Sequence, residues 1–206
     1  MGMLEGLIRK PASTKDLKEP VMTQPAPSML NTGAPAMDFH ALIRAIPDFP
    51  SPGILFRDIT PLLADPRALT ALTEQLAARY REAGVRKVVG IESRGFIFGA
   101  PLACALGAGF VPARKPGKLP HTLIEESYDL EYGSNTIAMH VDAIEPGEKV
   151  VIIDDLIATG GTFGAAAKLV ERLGGQIVEV VAIIELTALA GRKAIGERPF
   201  YSVVRY

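Results

Sequence analysis

The segment VVIIDDLIATGGT, from Val150 to Thr162, narrows the folds open to this chain more than any other stretch. Val150 to Ile153 are apolar without alternation, which suits a strand covered on both faces, as in the middle of a parallel sheet. Two acids, Asp154 and Asp155, follow. The small residues from Ala158 to Gly161 then read as a short loop, and Thr162 opens a helix that runs to Leu173 and stops at Gly174 and Gly175.

In an open parallel sheet, ligands gather at the carboxyl ends of the strands, where loops meet helix N-termini. Consecutive backbone N–H groups at such a turn cradle an anion, helped by the helix dipole and by the hydroxyls of Thr159 and Thr162. Asp154 and Asp155 would repel that anion, so their partners must be donors. Vicinal hydroxyls qualify. A ribose 5-phosphate unit satisfies both halves, with the acids on the 2- and 3-hydroxyls and the loop on the phosphate. Neither GxxxxGKS/T nor GxGxxG occurs, which argues against a P-loop nucleotidase and a dinucleotide fold.

Around this segment strand and helix alternate. DFHALIRAI reads as a short amphipathic helix capped by Asp38 and stopped before Pro47, with PDFPSPGILFRDITPLL as the loop after it. Asp65 as N-cap and Pro66 at the first helical position begin a second helix, whose Leu69, Leu72, Leu76 and Tyr80 share one stripe. VRKVVGI and GFVPAR are strands on either side of the helical FIFGAPLACALG. TLIEESYDLEY and NTIAMHV pair as a hairpin turned at Gly133 and Ser134, QIVEVVAIIEL is a further buried strand, and FYSVVRY is an edge strand. The expected architecture is α/β, a largely parallel central sheet flanked by helices.

Residues 1–36 do not join this pattern. Pro11, Pro20, Pro25, Pro27 and Pro35 interrupt them and no period is sustained, so they read as a disordered extension before a domain at 37–206. Glu5, Asp16 and Glu19, with no apolar core, argue against a transit or secretory peptide. The chain has 206 residues with 22 basic and 23 acidic side chains, a net charge of -1. No global field draws nucleic acid, and any anion site must be local. No apolar run approaches the roughly 20 residues that span a bilayer. Cys104 is the single cysteine, so no disulfide framework exists; it reads as a buried small side chain in a cytoplasmic protein. His40, His121 and His140 lack the spacing of metal ligands.

Taken together, the apolar strand, the two acids, two apolar residues and ATGGT resemble the motif with which type I phosphoribosyltransferases hold 5-phosphoribosyl 1-pyrophosphate (PRPP). FPSPGILFRDITPLL, GIESRGFIFGAPLA, ARKPGKLP and YDLEYG extend the resemblance from about Met37 to Tyr206 and direct it to the adenine-using members of that family. It implies the family's fold, with a small hood and a mobile hairpin loop beside the main sheet. By motif, Ala158, Thr159, Gly160, Gly161 and Thr162 would bind the 5-phosphate, and Asp154 and Asp155 the ribose hydroxyls. Arg94 would meet the pyrophosphate, with a cis Glu92–Ser93 peptide turning backbone N–H toward it. Lys115 and Lys118, beside Arg114, would add cationic stabilisation, in part across the interface of a homodimer.

The YDLEYG hairpin resembles the segment that closes over the site and excludes water. Glu131 is its candidate general acid/base, and Tyr132 would help close it. Members that use 6-oxopurines carry an aspartate where this chain has Ala158, so the acid facing the purine must come from elsewhere. Leu55 and Leu186 would contact the adenine ring, while the Arg57 backbone reads its Watson–Crick edge. Magnesium is expected to arrive on PRPP, with no direct protein cage. The implied reaction is adenine plus PRPP giving AMP and pyrophosphate, a purine salvage step. Two alternatives share the loop. A non-catalytic PRPP-sensing regulator would want a helix-turn-helix or a basic face, of which the sequence has no sign. A 6-oxopurine phosphoribosyltransferase is disfavoured by Ala158 and YDLEYG. Partners are thus the two small substrates and a second copy of the chain, with neither nucleic acid nor membrane.

Overall fold

The structure is a computed structural model that describes residues 37–129 and 133–206. The described chain enters through a single 3-10 turn, His40–Leu42. Two short strands follow, β1 (Arg44–Pro47) and β2 (Leu55–Asp58), paired antiparallel from Arg44↔Asp58 to Pro47↔Leu55. This corrects the helix expected over DFHALIRAI. Asp38 does accept from the N–H groups of His40 and Ala41, at 3.0 and 3.4 Å, as a cap would. The turn nevertheless opens into extended backbone at Ile43. From there the ladder to β2 satisfies the backbone, and Arg44 reaches across it to Asp58 at 3.8 Å. Pairing partners further along the chain, from Leu55 to Asp58, outweigh a weak local period.

The stretch expected to be a plain loop is therefore structured. Beyond β2 it holds α1 (Thr60–Ala64), entered through Asp58, which accepts from the Thr60 N–H at 2.9 Å and its hydroxyl at 2.8 Å. Helix α2 (Pro66–Tyr80) begins as expected, with the Asp65 carboxylate accepting from the N–H groups of Arg67 and Ala68 at 2.9 and 3.3 Å. Leu72, Leu76 and Tyr80 are buried along its inner stripe, and Leu69 packs at its margin.

Next come β3 (Lys87–Ile91), α3 (Gly95–Leu106) and β4 (Gly109–Ala113). A hairpin of β5 (Leu123–Asp129) and β6 (Ser134–His140) stands as its own two-stranded sheet. The chain closes with β7 (Lys149–Ile157), α4 (Gly161–Arg172), β8 (Gln176–Glu185), α5 (Arg192–Ile195) and β9 (Phe200–Arg205). Five strands form the main sheet in the order β4-β3-β7-β8-β9, every neighbouring pair parallel. The middle place of β7 explains its unbroken apolar run. Val151 and Ile153 join the core shared with α2 and α3, whereas Val150 and Ile152 join that shared with α4 and the hairpin.

Helix α2 is tied to β8 by polar groups as well. Arg79 donates twice to the Glu179 carboxylate, at 2.6 and 2.8 Å, and the buried Tyr80 hydroxyl donates to it at 2.5 Å. Cys104 is exposed, contrary to expectation. Helix α3 buries Gly95, Phe98, Gly99, Leu102 and Ala103, and Cys104 falls outside that face. A helix apolar nearly all round has no period by which its inner face can be recognised. Among the described residues, no helix is long and apolar enough to cross a membrane.

Candidate active site

The turn after β7 forms the floor of the site. Gly160 takes the left-handed conformation, φ 82°, and caps α4. The first helical hydrogen bond runs from the Gly164 N–H to the Gly160 carbonyl at 2.9 Å, so the amides of Gly161, Thr162 and Phe163 lie ahead of it. Amides in that position are unpaired within their helix and favour an anion. With Thr159, Tyr128 and Asp154 these residues line a cavity of about 110 Å³.

A buttress behind the turn fixes its shape. A Cβ on Gly160 would run into the Gly191 carbonyl oxygen and lie 3.0 Å from the Ala194 Cβ, and a Cβ on Gly191 would strike the Ala158 carbonyl oxygen. Gly191 is held by its neighbour Arg192, which donates to the buried Glu185 carboxylate at 2.5 and 2.7 Å. Ser202 from β9 donates to the same carboxylate at 2.6 Å.

The two acids divide their contacts. Asp155 is buried and ion-paired to the Arg94 Nε at 2.5 Å. Close packing of α3 on β7 brings these groups together: a Cβ on Gly95 would sit 2.6 Å from the Ile153 carbonyl oxygen and 3.0 Å from the Asp154 carboxylate. Asp154 accepts from the Asp155 N–H at 2.8 Å. Burial, and then the adjacent Asp155 charge, push the Asp154 carboxyl up to about 8. Two neighbouring acids cannot both ionise cheaply in a shielded site.

Glu92 gathers the cations. Its peptide bond to Ser93 is cis. Its carboxylate accepts from Arg114 at 3.0 Å, from the Lys118 ammonium at 2.8 Å and from the Lys115 N–H at 3.2 Å. These donors, Arg114 foremost, hold the Glu92 carboxyl down at about 2. A second cavity, about 190 Å³, lies over this cluster and shares Tyr128, Asp154 and Thr162 with the first.

On the far side, Leu55 is half exposed at 50% rather than packed in the core. Next to it, the Phe56 ring lies 5.9 Å from the Arg94 guanidinium. The Arg57 guanidinium stacks on the Tyr206 ring at 3.6 Å. Tyr206 in turn donates its N–H to the Glu185 carbonyl at 2.9 Å, and Leu186 donates to the Ile157 carbonyl at 3.0 Å. Arg57 is thereby linked through Tyr206 to the end of β8, and Leu186 to the end of β7, while none of Leu55, Arg57 and Leu186 lines either cavity. Glu131 and Tyr132 lie outside the described residues.

Three groups at the site were not singled out in the sequence. Tyr128 meets the Thr162 hydroxyl at 2.8 Å. Strand alternation offered a signal for it: Ile124, Glu126 and Tyr128 share the less exposed face of β5, and Glu126 reaches Lys168 and Arg172 on α4. The Gly191–Glu185 buttress and Tyr206 had no local signal. Among the described residues, no group of three or more His, Cys, Asp or Glu side chains is arranged to hold a metal ion. Asp154 and Asp155 still offer hard oxygen donors to a cation that arrives with oxygens of its own.

Comparison with known proteins adds the family. The phosphoribosyl transferase domain family matches residues 59–201. The adenine phosphoribosyltransferase of Pectobacterium atrosepticum is 59% identical over 155 residues, 75% of this chain and 84% of that one. The crystal structure of adenine phosphoribosyltransferase from Rhodothermus marinus superposes with a TM-score of 0.77 at 54% identity, over 82% of this chain and 96% of that one. The Saccharomyces cerevisiae enzyme, solved with adenine and an imino-altritol bisphosphate, gives 0.76 at 40% identity over 80% of this chain and 96% of that one. With its sheet order, its strand-acid-loop turn and these relatives in agreement, the chain belongs to the phosphoribosyltransferase family, in its adenine branch.

Proposed function

We propose that this protein transfers the 5-phosphoribosyl group of PRPP to adenine, forming AMP and pyrophosphate in purine salvage. The observation that carries the reading is one continuous turn: β7 delivers Asp154 and Asp155, and Gly161 to Phe163, the first residues of α4, line the adjoining cavity. Acids for hydroxyls and amides for a phosphate fit the two ends of a phosphorylated ribose. Relatives that carry the adenine name, and a yeast structure that contains adenine, support the choice of base.

In this reading Ala158 to Thr162 hold the 5-phosphate and Asp154 and Asp155 orient the ribose. Adenine N9 bonds to the anomeric carbon as the carbon–oxygen bond to pyrophosphate breaks, and the bonding pair leaves with the pyrophosphate. Arg94, Lys115 and Lys118, with the Glu92–Ser93 backbone, steady the charge that develops there. Arg94 must first exchange Asp155 for the substrate, since that ion pair is closed in the present structure. Magnesium bound to PRPP would neutralise part of the same charge, and Asp154 and Asp155 are carboxylates that could receive it. Leu55 and Leu186 flank the ring, the Arg57 backbone selects its edge, and Glu131 takes the purine proton while Tyr132 helps exclude water.

The same proposal includes a homodimer in the cytoplasm. A panel of purine bases with PRPP and magnesium, followed by pyrophosphate release, tests the activity. Adenine should react well ahead of hypoxanthine and guanine; guanine outperforming adenine would overturn the assignment.

A further inference from the structure

The geometry points to Tyr128 as a positioning residue that ties the catalytic hairpin to the 5-phosphate through Thr162. The inference rests on the reading of Ala158 to Thr162 as the phosphate site. In the structure the Thr162 hydroxyl donates to the Tyr128 hydroxyl at 2.8 Å. A threonine has one proton to give, and a phosphate dianion only accepts. When the 5-phosphate arrives, Thr162 must turn its proton from Tyr128 to the phosphate. The Thr162–Tyr128 contact then survives only if Tyr128 reverses its role and donates.

Tyr128 is equipped to do so. Among the described residues, its hydroxyl has no hydrogen-bond partner other than Thr162, so its proton is free to turn. A phenol is a stronger donor than an alcohol. The resulting chain, tyrosine to threonine to phosphate, is polarised by the anion at its end, and each bond strengthens the next. Ligand binding thus converts a neutral contact into a firmer, charge-directed one.

The position of that contact matters. Lower on the stem the hairpin is pinned to α4 by contacts that touch no ligand cavity: Glu126 with Lys168 at 2.9 Å and with Arg172 at 3.2 Å, and Arg172 with the Glu125 carbonyl at 2.8 Å. Tyr128 is the next inward residue on β5 and the one whose side chain lines both cavities. It stands three residues before Glu131. An occupied phosphate site therefore steadies the base of the segment that carries the acid/base, before adenine reacts.

Binding and kinetics of the full chain test this. In Tyr128→Phe, affinity for magnesium–PRPP without base should fall about 3- to 10-fold, the worth of one hydrogen bond. The adenine KM at saturating PRPP should move less than about two-fold, and the urea midpoint should stay close to that of the parent. Thr162→Val should weaken PRPP on its own, Thr162→Ser should restore it, and adding Tyr128→Phe to Thr162→Val should cost nothing more. Tyr128→Phe without effect on PRPP, or with an equal loss in the Thr162→Val background, would overturn the relay. PRPP affinity unchanged by Thr162→Val would instead remove the phosphate-site reading, and the relay with it.

Discussion

Replacing Gly160 by alanine separates two costs that usually travel together. The first is conformational: Gly160 has φ +82°, and an L side chain held there costs about 1–2 kcal/mol. The second is steric. The new Cβ would collide with the Gly191 carbonyl oxygen and sit 3.0 Å from the Ala194 Cβ, and neither is the far end of a flexible side chain. Forcing such an overlap costs about 1–3 kcal/mol more. Gly147 isolates the first cost, since it has φ +86° and a Cβ there would meet nothing within 4 Å. Urea unfolding should therefore show Gly147→Ala destabilised by about 1–2 kcal/mol and Gly160→Ala by about 2–5 kcal/mol. Any relief of the overlap must displace the loop or its buttress, and misplacement of about 1 Å at a reacting centre can cost 100-fold in rate. Gly160→Ala should accordingly lose at least about tenfold in kcat/KM for PRPP, while Gly147→Ala keeps it. Equal stability losses in the two variants, with PRPP kinetics unchanged in both, would refute the buttress.

The acid pair sets a pH dependence with a definite sign. Asp154 titrates above its ordinary value, so between 3.8 and about 8 the native chain retains a proton that the unfolded chain has released, and stability falls as pH rises through that window. Asp154→Asn should match the parent in urea midpoint below about pH 4 and exceed it increasingly toward pH 8; a pH-independent difference would count against the assignment. At Glu179 the expected effect is on folding alone. Glu179→Ala strands the buried Tyr80 hydroxyl and frees Arg79, costing about 2–4 kcal/mol, whereas Glu171→Ala, which breaks a partly exposed pair with Arg198, costs about 1 kcal/mol. Similar losses in the two would show that the α2–β8 tie adds nothing beyond surface charge.

Features written in one continuous stretch were the ones legible in the sequence. Asp65 followed by Pro66 announced α2, the unbroken apolar run announced the central strand, and DD followed by ATGGT announced the turn and its chemistry. Features that depend on a distant segment were hidden. β1 is extended because β2 offers it a ladder, and nothing in DFHALIRAI reports that. Gly191 must be bare because Ala158, more than thirty residues earlier, passes against it. Tyr206 meets the Glu185 carbonyl only because β9 runs beside β8. Cys104 misled because its helix is apolar on nearly every side. Glu131 and Tyr132 were readable only through the resemblance of YDLEYG, and they lie outside the described residues.

The carboxylates around the site have a consequence for discrimination. Arg94, Arg114 and Lys118 each already hold a carboxylate, Asp155 in the first case and Glu92 in the other two. If the proposed site holds, binding there would be an exchange of counterions rather than the filling of a bare positive well. A stray inorganic anion can offer no more than the carboxylate it displaces, and it leaves that carboxylate exposed to its own charge. A ligand that brings hydroxyls and a divalent cation leaves no such debt, because it gives the displaced acids new partners as it takes their old ones. Selectivity for a sugar pyrophosphate over the simpler phosphates of the cell would then reside less in the cations than in the acids that guard them.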